Sequence, residues 1–301
     1  MLSIIIPFYK LTYFEATLTS LANQTNKDFK VYIGDDASPE DCSVLLKKFE
    51  GKFDFTYHRF ETNLGSSSLT KQWERCIALS NDEPWIMILG DDDFLSPTVV
   101  QSFYDNHQEF SGKSNVIRFA TRKVFDDKIV PEVYVTHPVW EKATDGFYRK
   151  LTKQTRSSLS EYIFSRASYT KFKFYDYPLA WNSDDRAWLD FSDGKPIYSI
   201  NESSVYFRLS SLNISGKIDN KIAKNKSEIE FYKYLVENEL SQYNNNQKLR
   251  ILRRYQSEIR VYRNLTIKEF LVLLYFYIKY LNIKWIKKFF RKVFNKLIAK
   301  K

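Results

Sequence analysis

Cysteine and histidine are scarce: Cys42 and Cys76, and His58, His107 and His137, are all that 301 residues contain. No two of them have zinc-ligand spacing and two cysteines build no disulfide framework. This argues against a zinc site or a stapled fold, and the thiols are expected in the core of a protein from a reducing compartment. Glycine and proline are also few, at eight each. Neither Gly-x-Gly-x-x-Gly nor a phosphate loop ending in Gly-Lys-Ser/Thr occurs, so dinucleotide and P-loop sites are unsupported. Long apolar runs are missing too. The stretch from Phe270 to Ile278 meets Lys279 before it could span a bilayer. Met1-Leu-Ser-Ile-Ile-Ile-Pro7 lacks the basic start and apolar core of a signal peptide. Basic excess is absent from the front of the chain. Of 46 Lys/Arg and 36 Asp/Glu in all, residues 217–301 hold 21 and 7, which leaves 25 and 29 for residues 1–216. That distribution argues against a nucleic-acid-binding core and for a basic tail with its own partner.

What is present is an alternation of short apolar runs with helical spacing. Ser3–Pro7, Phe29–Ile33, Phe53–Tyr57, Trp85–Leu89 and Val116–Phe119 read as strands. Helices are expected over 12–24, 40–49, 67–79 and 97–110. Such alternation implies βαβ crossovers, a mainly parallel sheet, and a ligand beyond the carboxyl ends of the strands. Residues 121–160 read as short strands and loops, Ser160–Phe164 and Ser203–Arg208 as later strands, and the chain from about Lys217 as helical. The expected division is therefore 1–216 and 217–301.

Two acidic loops fall at expected strand ends: Asp35-Asp36, and Asp91-Asp92-Asp93 after Trp85-Ile-Met-Ile-Leu89-Gly90. Three adjacent carboxylates repel one another. The run reads either as hard oxygen ligands for Mg²⁺ or Mn²⁺ beside an anionic ligand, or as a solvated acidic turn before a helix.

In order along the chain stand Ser3-Ile-Ile-Ile-Pro7-Phe8-Tyr9, Asp35-Asp36-Ala-Ser38, Asn63-Leu-Gly65, Leu89-Gly-Asp-Asp-Asp93-Phe-Leu-Ser-Pro97, Asp184-Asp185, and Tyr206-Phe-Arg208 with Ser215. In that order these segments resemble the family 2 glycosyltransferases, inverting enzymes of the GT-A fold. The resemblance covers about residues 2–215. It implies a Rossmann-like α/β sheet flanked by helices, and sugar transfer from a nucleotide sugar to a saccharide acceptor in surface polysaccharide assembly. Pro7, Phe8, Tyr9, Asp35, Asp36, Asn63, Asp91, Asp92 and Arg208 would bind the donor. Asp91, Asp92 and Asp93 would hold the metal. Asp185, with Asp184 orienting it or sharing the role, would be the catalytic base. Gly90 stands where the family often has the first Asp of its motif, Lys71-Gln-Trp73-Glu-Arg75-Cys replaces the usual Ala-Arg-Asn segment, and Ser210 stands where many members carry a His. No Gln-x-x-Arg-Trp occurs, which disfavours a processive synthase.

The chemistry fits those residue types. A departing nucleoside diphosphate gains negative charge that a divalent cation stabilises, and an acceptor hydroxyl needs one carboxylate to take its proton. Each residue also has a plainer reading: Asp184-Asp185 as a helix N-cap, Asp36 as a turn residue, Arg208 in a surface ion pair, Trp181 and Trp188 in the core rather than along an acceptor sugar. From Lys284, Trp285, Ile286, Phe289, Phe290, Val293, Phe294 and Leu297 form one helical face opposite Lys287, Lys288, Arg291, Lys292 and Asn295. That pattern reads as an amphipathic helix on an anionic membrane, or as a helix packed on protein. The first reading places the enzyme peripherally on the inner face of the cell membrane, near a lipid-linked acceptor. The alternatives held beside glycosyl transfer are a nucleotidyltransferase on a similar fold and a non-catalytic membrane-bound binding module.

Overall fold

The computed structural model describes residues 1–125, 128–210 and 220–280, with Lys287, Phe290 and Arg291. Ser215 and most of the apolar face from Lys284 to Leu297 lie outside the described residues. Among the described residues ten strands form one sheet: β1 Leu2–Phe8, β2 Phe29–Asp35, β3 Asp54–Arg59, β4 Trp85–Ile88, β5 Phe94–Leu95, β6 Val116–Phe125, β7 Lys128–Val135, β8 Trp140–Glu141, β9 Tyr162–Ser165 and β10 Ile197–Leu209. Their order is β3-β2-β1-β4-β9-β6-β10-β5, with β7 on β6 and β8 on β10. The helices are α1 Phe14–Ala22, α2 Ser43–Lys47, α3 Leu69–Ile77, α4 Val99–Asp105, α5 His107–Phe110, α6 Ala143–Leu151, α7 Arg166–Phe172, α8 Ser183–Ser192, α9 Lys221–Tyr234, α10 Asn245–Tyr262 and α11 Ile267–Lys279.

Ser3-Ile4-Ile5-Ile6 is wholly buried, as a strand covered on both faces must be. It is central: β1 pairs in parallel with β2 on one side and β4 on the other, and β2 with β3. Ile4 and Ile6 face one apolar cluster with Phe14 and Leu18 of α1, while Ile5 faces the other with Trp73 and Ile77 of α3. The period of two thus sends alternate isoleucines to helices on opposite faces. This arrangement leaves the exits of β2, β1 and β4 side by side.

The second half of the sheet is mixed. β9 runs antiparallel to both β4 and β6, while β6 and β10 are parallel to each other. The helix expected over 97–110 is broken: Asn106 caps α4 and begins α5, its side-chain amide bonding back to the Ser102 carbonyl at 2.9 Å. Residues 121–160 hold a full helix, α6, that the apolar pattern does not announce. Of its nine residues only Gly146 and Phe147 are buried, so its stripe is too thin to register as a period.

The chain divides into two compact units, Met1–Lys224 and Asn225–Lys301. In the second, Tyr277 of α11 donates to Gln256 of α10 at 3.2 Å, and Leu273 and Tyr277 form the buried side of α11.

Candidate active site

The three strand exits are stapled to one another. On the β2 side the Ser38 hydroxyl donates to the Tyr9 carbonyl at 2.7 Å. On the β4 side one oxygen of Asp91 accepts from the backbone amides of Tyr9 and Lys10 at 2.8 and 2.9 Å. Burial raises the Asp91 carboxyl above its ordinary range against these two amides, which favour the charge. Asp91 therefore fixes the segment leaving Pro7-Phe8, and one of its oxygens is already committed.

Asp35 and Asp36 are also bound. Asp35 is fully buried and accepts from the Ser38 amide at 2.7 Å, the Tyr57 hydroxyl at 2.6 Å and Arg59 at 2.7 Å. Asp36 accepts from the amides of Leu64 and Gly65 at 2.7 and 2.9 Å and pairs with Arg75, which stacks on Phe60. A Cβ at Gly65 would lie 2.5 Å from the Asp36 carboxylate, so that cradle requires glycine. Asn63 starts the loop by accepting from the Ser66 amide at 2.9 Å. Arg75, in the segment that departs from the family pattern, thus carries the opposite charge that a buried Asp36 needs.

Asp92 and Asp93 turn the other way. A Cβ at Gly90 would meet Asp92 Oδ1 at 2.9 Å and Asp93 Oδ2 at 3.5 Å, so the two carboxylates fold over the same bare point of backbone. Burial first, and then the neighbouring Asp92 charge, push Asp93 up to about 7. Its Oδ1 accepts from the Arg208 amide at 2.8 Å, and Ser160, which accepts from the Gly90 amide at 3.2 Å, bonds the same carboxylate. Arg208 is 5% exposed; its Nε donates to the Asp92 carbonyl at 3.0 Å and its guanidinium stacks on Tyr13. It is thus not a surface ion pair but a buried cation against the acidic loop. Among the described residues no three His, Cys, Asp or Glu side chains gather as a complete metal cage. Two crowded carboxylates, Asp93 among them with raised proton affinity, fit a cation that takes its remaining ligands from phosphate and water.

Asp184 and Asp185 lie in the first turn of α8, whose N-cap is Asn182. Asp185 is 4% exposed and grips Lys150 of α6 through both oxygens, at 2.6 and 2.7 Å, with Asn182 donating at 3.0 Å. Burial opposes the charge on Lys150, yet the two aspartates hold it above the usual lysine range. Asp184 is half-buried; burial and then repulsion by Asp185 push it up to about 7. Trp188 is a core residue stacked on Tyr162 at 4.1 Å, and the half-buried Trp181 lies under Lys224.

One segment, 156–162, lies beside Asp93 and shares a cavity with Asp185. Ser160 bonds Asp93, while Arg156, Ser157 and Tyr162 line a cavity with Lys150 and Asp185. Arg156 is tied to Glu161 at 3.1 Å and stacks on Phe207. Lys150, Arg156, Ser160 and Glu161 form no sequence motif. Only the requirement that buried Asp185 and half-buried Asp93 have partners could have pointed to Lys150 and Ser160.

An α/β sheet with adjoining acidic loops at its strand exits, and a second carboxylate pair across one segment from them, defines a GT-A-like fold. Residues 3–177 match the family described as Glycosyl transferase family 2; the chain belongs to that family and is a glycosyltransferase. Among solved structures it is similar to S. aureus TarS 1-349 in complex with UDP-GlcNAc, at 15% identity and TM-score 0.65, over 93% of this chain and 80% of that one. S. aureus TarS 1-349 in complex with UDP matches at 16% identity and TM-score 0.54, over 91% and 70%. S. aureus TarS matches at 16% and 0.62, over 93% of this chain and 48% of that one. No curated protein matches.

Proposed function

We propose that the protein transfers a hexose, with inversion, from a nucleotide sugar to a saccharide acceptor, and that a divalent cation assists the leaving diphosphate. The observation that carries this reading is the pairing of two crowded carboxylate sites across residues 156–162, Asp92/Asp93 on one side and Asp184/Asp185 on the other. Asp92 and Asp93 would hold Mn²⁺ or Mg²⁺, and when bound the cation supplies Lewis-acid stabilisation of the developing diphosphate charge. Asp91 positions the Pro7-Phe8-Tyr9 exit, and Asp35 and Asp36 with Asn63 hold the walls beside it. Arg208 adds fixed positive charge next to the phosphates. A uridine diphosphate sugar is the first donor to try, since the structural neighbours include a complex with UDP-GlcNAc.

The acceptor proton goes to the pair on α8. Sequence favours Asp185 as base. Its two oxygens are held by Lys150, whereas Asp184, half-buried and near 7, has the affinity suited to taking a proton at neutral pH. We assign the base to Asp184 and the orienting role to Asp185 with Lys150. The acceptor is read as lipid-linked, and the enzyme as peripheral on an anionic membrane surface, because residues 217–301 carry a net charge of +14 (21 Lys/Arg against 7 Asp/Glu). The test is donor binding and transfer measured separately: Asp184→Asn keeps the first and loses the second, whereas normal transfer by this variant moves the base elsewhere.

A further inference from the structure

The outer face of α11 is apolar along its whole length. Ile267 is 82% exposed, Leu271 55%, Tyr275 57% and Ile278 51%. These positions are spaced by four, four and three residues, which is one stripe of a helix. It is not the buried side, which Leu273 and Tyr277 occupy. The other exposed members of the helix are Lys268 and Lys279, with the Lys279 ammonium over the Tyr275 ring at 5.5 Å. The single carboxylate of α11, Glu269, is turned into the cap. It accepts from the Thr266 amide at 2.8 Å and forks with Arg263 at 2.7 and 2.8 Å. The exposed face thus holds apolar groups and cations with no free acid. Residues 281–301 follow with eight Lys/Arg and no Asp/Glu.

We propose that this face of α11 is a docking surface for an anionic lipid bilayer, with Ile267, Leu271, Tyr275 and Ile278 inserted among the acyl chains and Lys268 and Lys279 at the headgroups. This deepens the membrane reading given above and rests on it, but moves the anchoring groups from the segment after Lys284 to a capped helix of the second unit. Charge decides between occupants. Against a second copy, the stripe would bring Lys268 and Lys279 up to the same cations of the partner, with no acid on the face to offset them. An anionic surface complements both components: each lysine is attracted, and the shallow apolar row matches a helix lying in the interface plane.

The test is co-sedimentation of the full chain with vesicles of phosphatidylcholine alone and of phosphatidylcholine mixed equally with phosphatidylglycerol. The full chain binds the anionic vesicles only. Leu271→Ser with Tyr275→Ser lowers partitioning at least about tenfold. Lys268→Gln and Lys279→Gln lower it about fivefold each, and donor hydrolysis is unchanged in all of them. Should the double serine variant unfold, the lysine variants, which remove no apolar contact, decide the matter. Wild-type binding by all these variants would overturn the assignment to α11 while leaving the membrane reading to residues 284–301. No binding by the full chain would overturn both. A dimer in solution that the serine substitutions dissociate, without vesicle binding, would make a second copy the occupant.

Discussion

Lys150→Met is the most informative single change at the α8 carboxylates. Lys150 reaches both oxygens of Asp185, at 2.6 and 2.7 Å, and Asp185 is 4% exposed. Removing one partner of a fully buried pair costs about 3–5 kcal/mol, because the other charge is left unpaired. The Lys150 side chain is 29% exposed and Asn182 still donates to Asp185 at 3.0 Å, so about 2–3 kcal/mol is expected here. Asp185→Asn should cost less, about 1–2 kcal/mol, since the lysine can turn to Asp184 and water. The double variant removes both charges and should return to within about 1 kcal/mol of wild type, a coupling of about 3 kcal/mol. Urea unfolding of the four proteins at pH 7.5 measures the cycle. In Lys150→Met the unpaired buried carboxylate binds its proton more tightly folded than unfolded. The penalty should therefore shrink as pH falls from 7.5 toward 5. A Lys150→Met protein as stable as wild type at pH 7.5, or a double variant as weak as the sum of the singles, would refute the reasoning.

Three further outcomes are expected. Asp184→Asn should reduce transfer at least about 100-fold with donor affinity kept, and the wild-type rate should fall as pH drops through about 7, where Asp184 gains its proton; a wild-type profile flat from pH 8 to 6 would remove Asp184 from the role. Asp92→Ala and Asp93→Ala should each abolish Mn²⁺-stimulated turnover. Asp91→Ala should weaken donor binding and lower stability by about 2–3 kcal/mol, through loss of its two amide bonds, and isothermal titration with calorimetric melting separates the two behaviours. Gly65→Ala, which puts a Cβ 2.5 Å from the Asp36 carboxylate, should cost about 1–3 kcal/mol and weaken donor binding, seen in the same two assays.

The parallel core and the loops at its edge were legible because both leave local marks. A strand buried on two faces is a continuous run of Ile and Met, and the loop that follows it carries its acids in sequence. Ser3–Pro7, Phe29–Ile33 and Trp85–Leu89 each lie at the strands β1, β2 and β4. What escaped was what depends on partners far away. Lys150 is 35 residues from Asp185 and sits on a helix whose buried stripe is two residues wide. Asp91, Asp92 and Asp93 are indistinguishable as letters. They differ because the Tyr9 and Lys10 amides claim the first, whereas the bare backbone of Gly90 lets the other two crowd together. The exposed row on α11 was hidden for the opposite reason: its apolar residues continue around the helix, and only the packing of Leu273 and Tyr277 shows which side is covered.

The most direct measurement is the identity of the leaving group. The full chain is supplied with Mn²⁺, a panel of nucleotide sugars beginning with UDP-GlcNAc, and a saccharide acceptor, and the phosphate products are separated by ion exchange. The account predicts release of a nucleoside diphosphate from at least one donor, stopped by chelation of the metal and by joint substitution of Asp92 and Asp93 with alanine. Release of pyrophosphate, or nucleoside diphosphate release that survives both treatments, would contradict it.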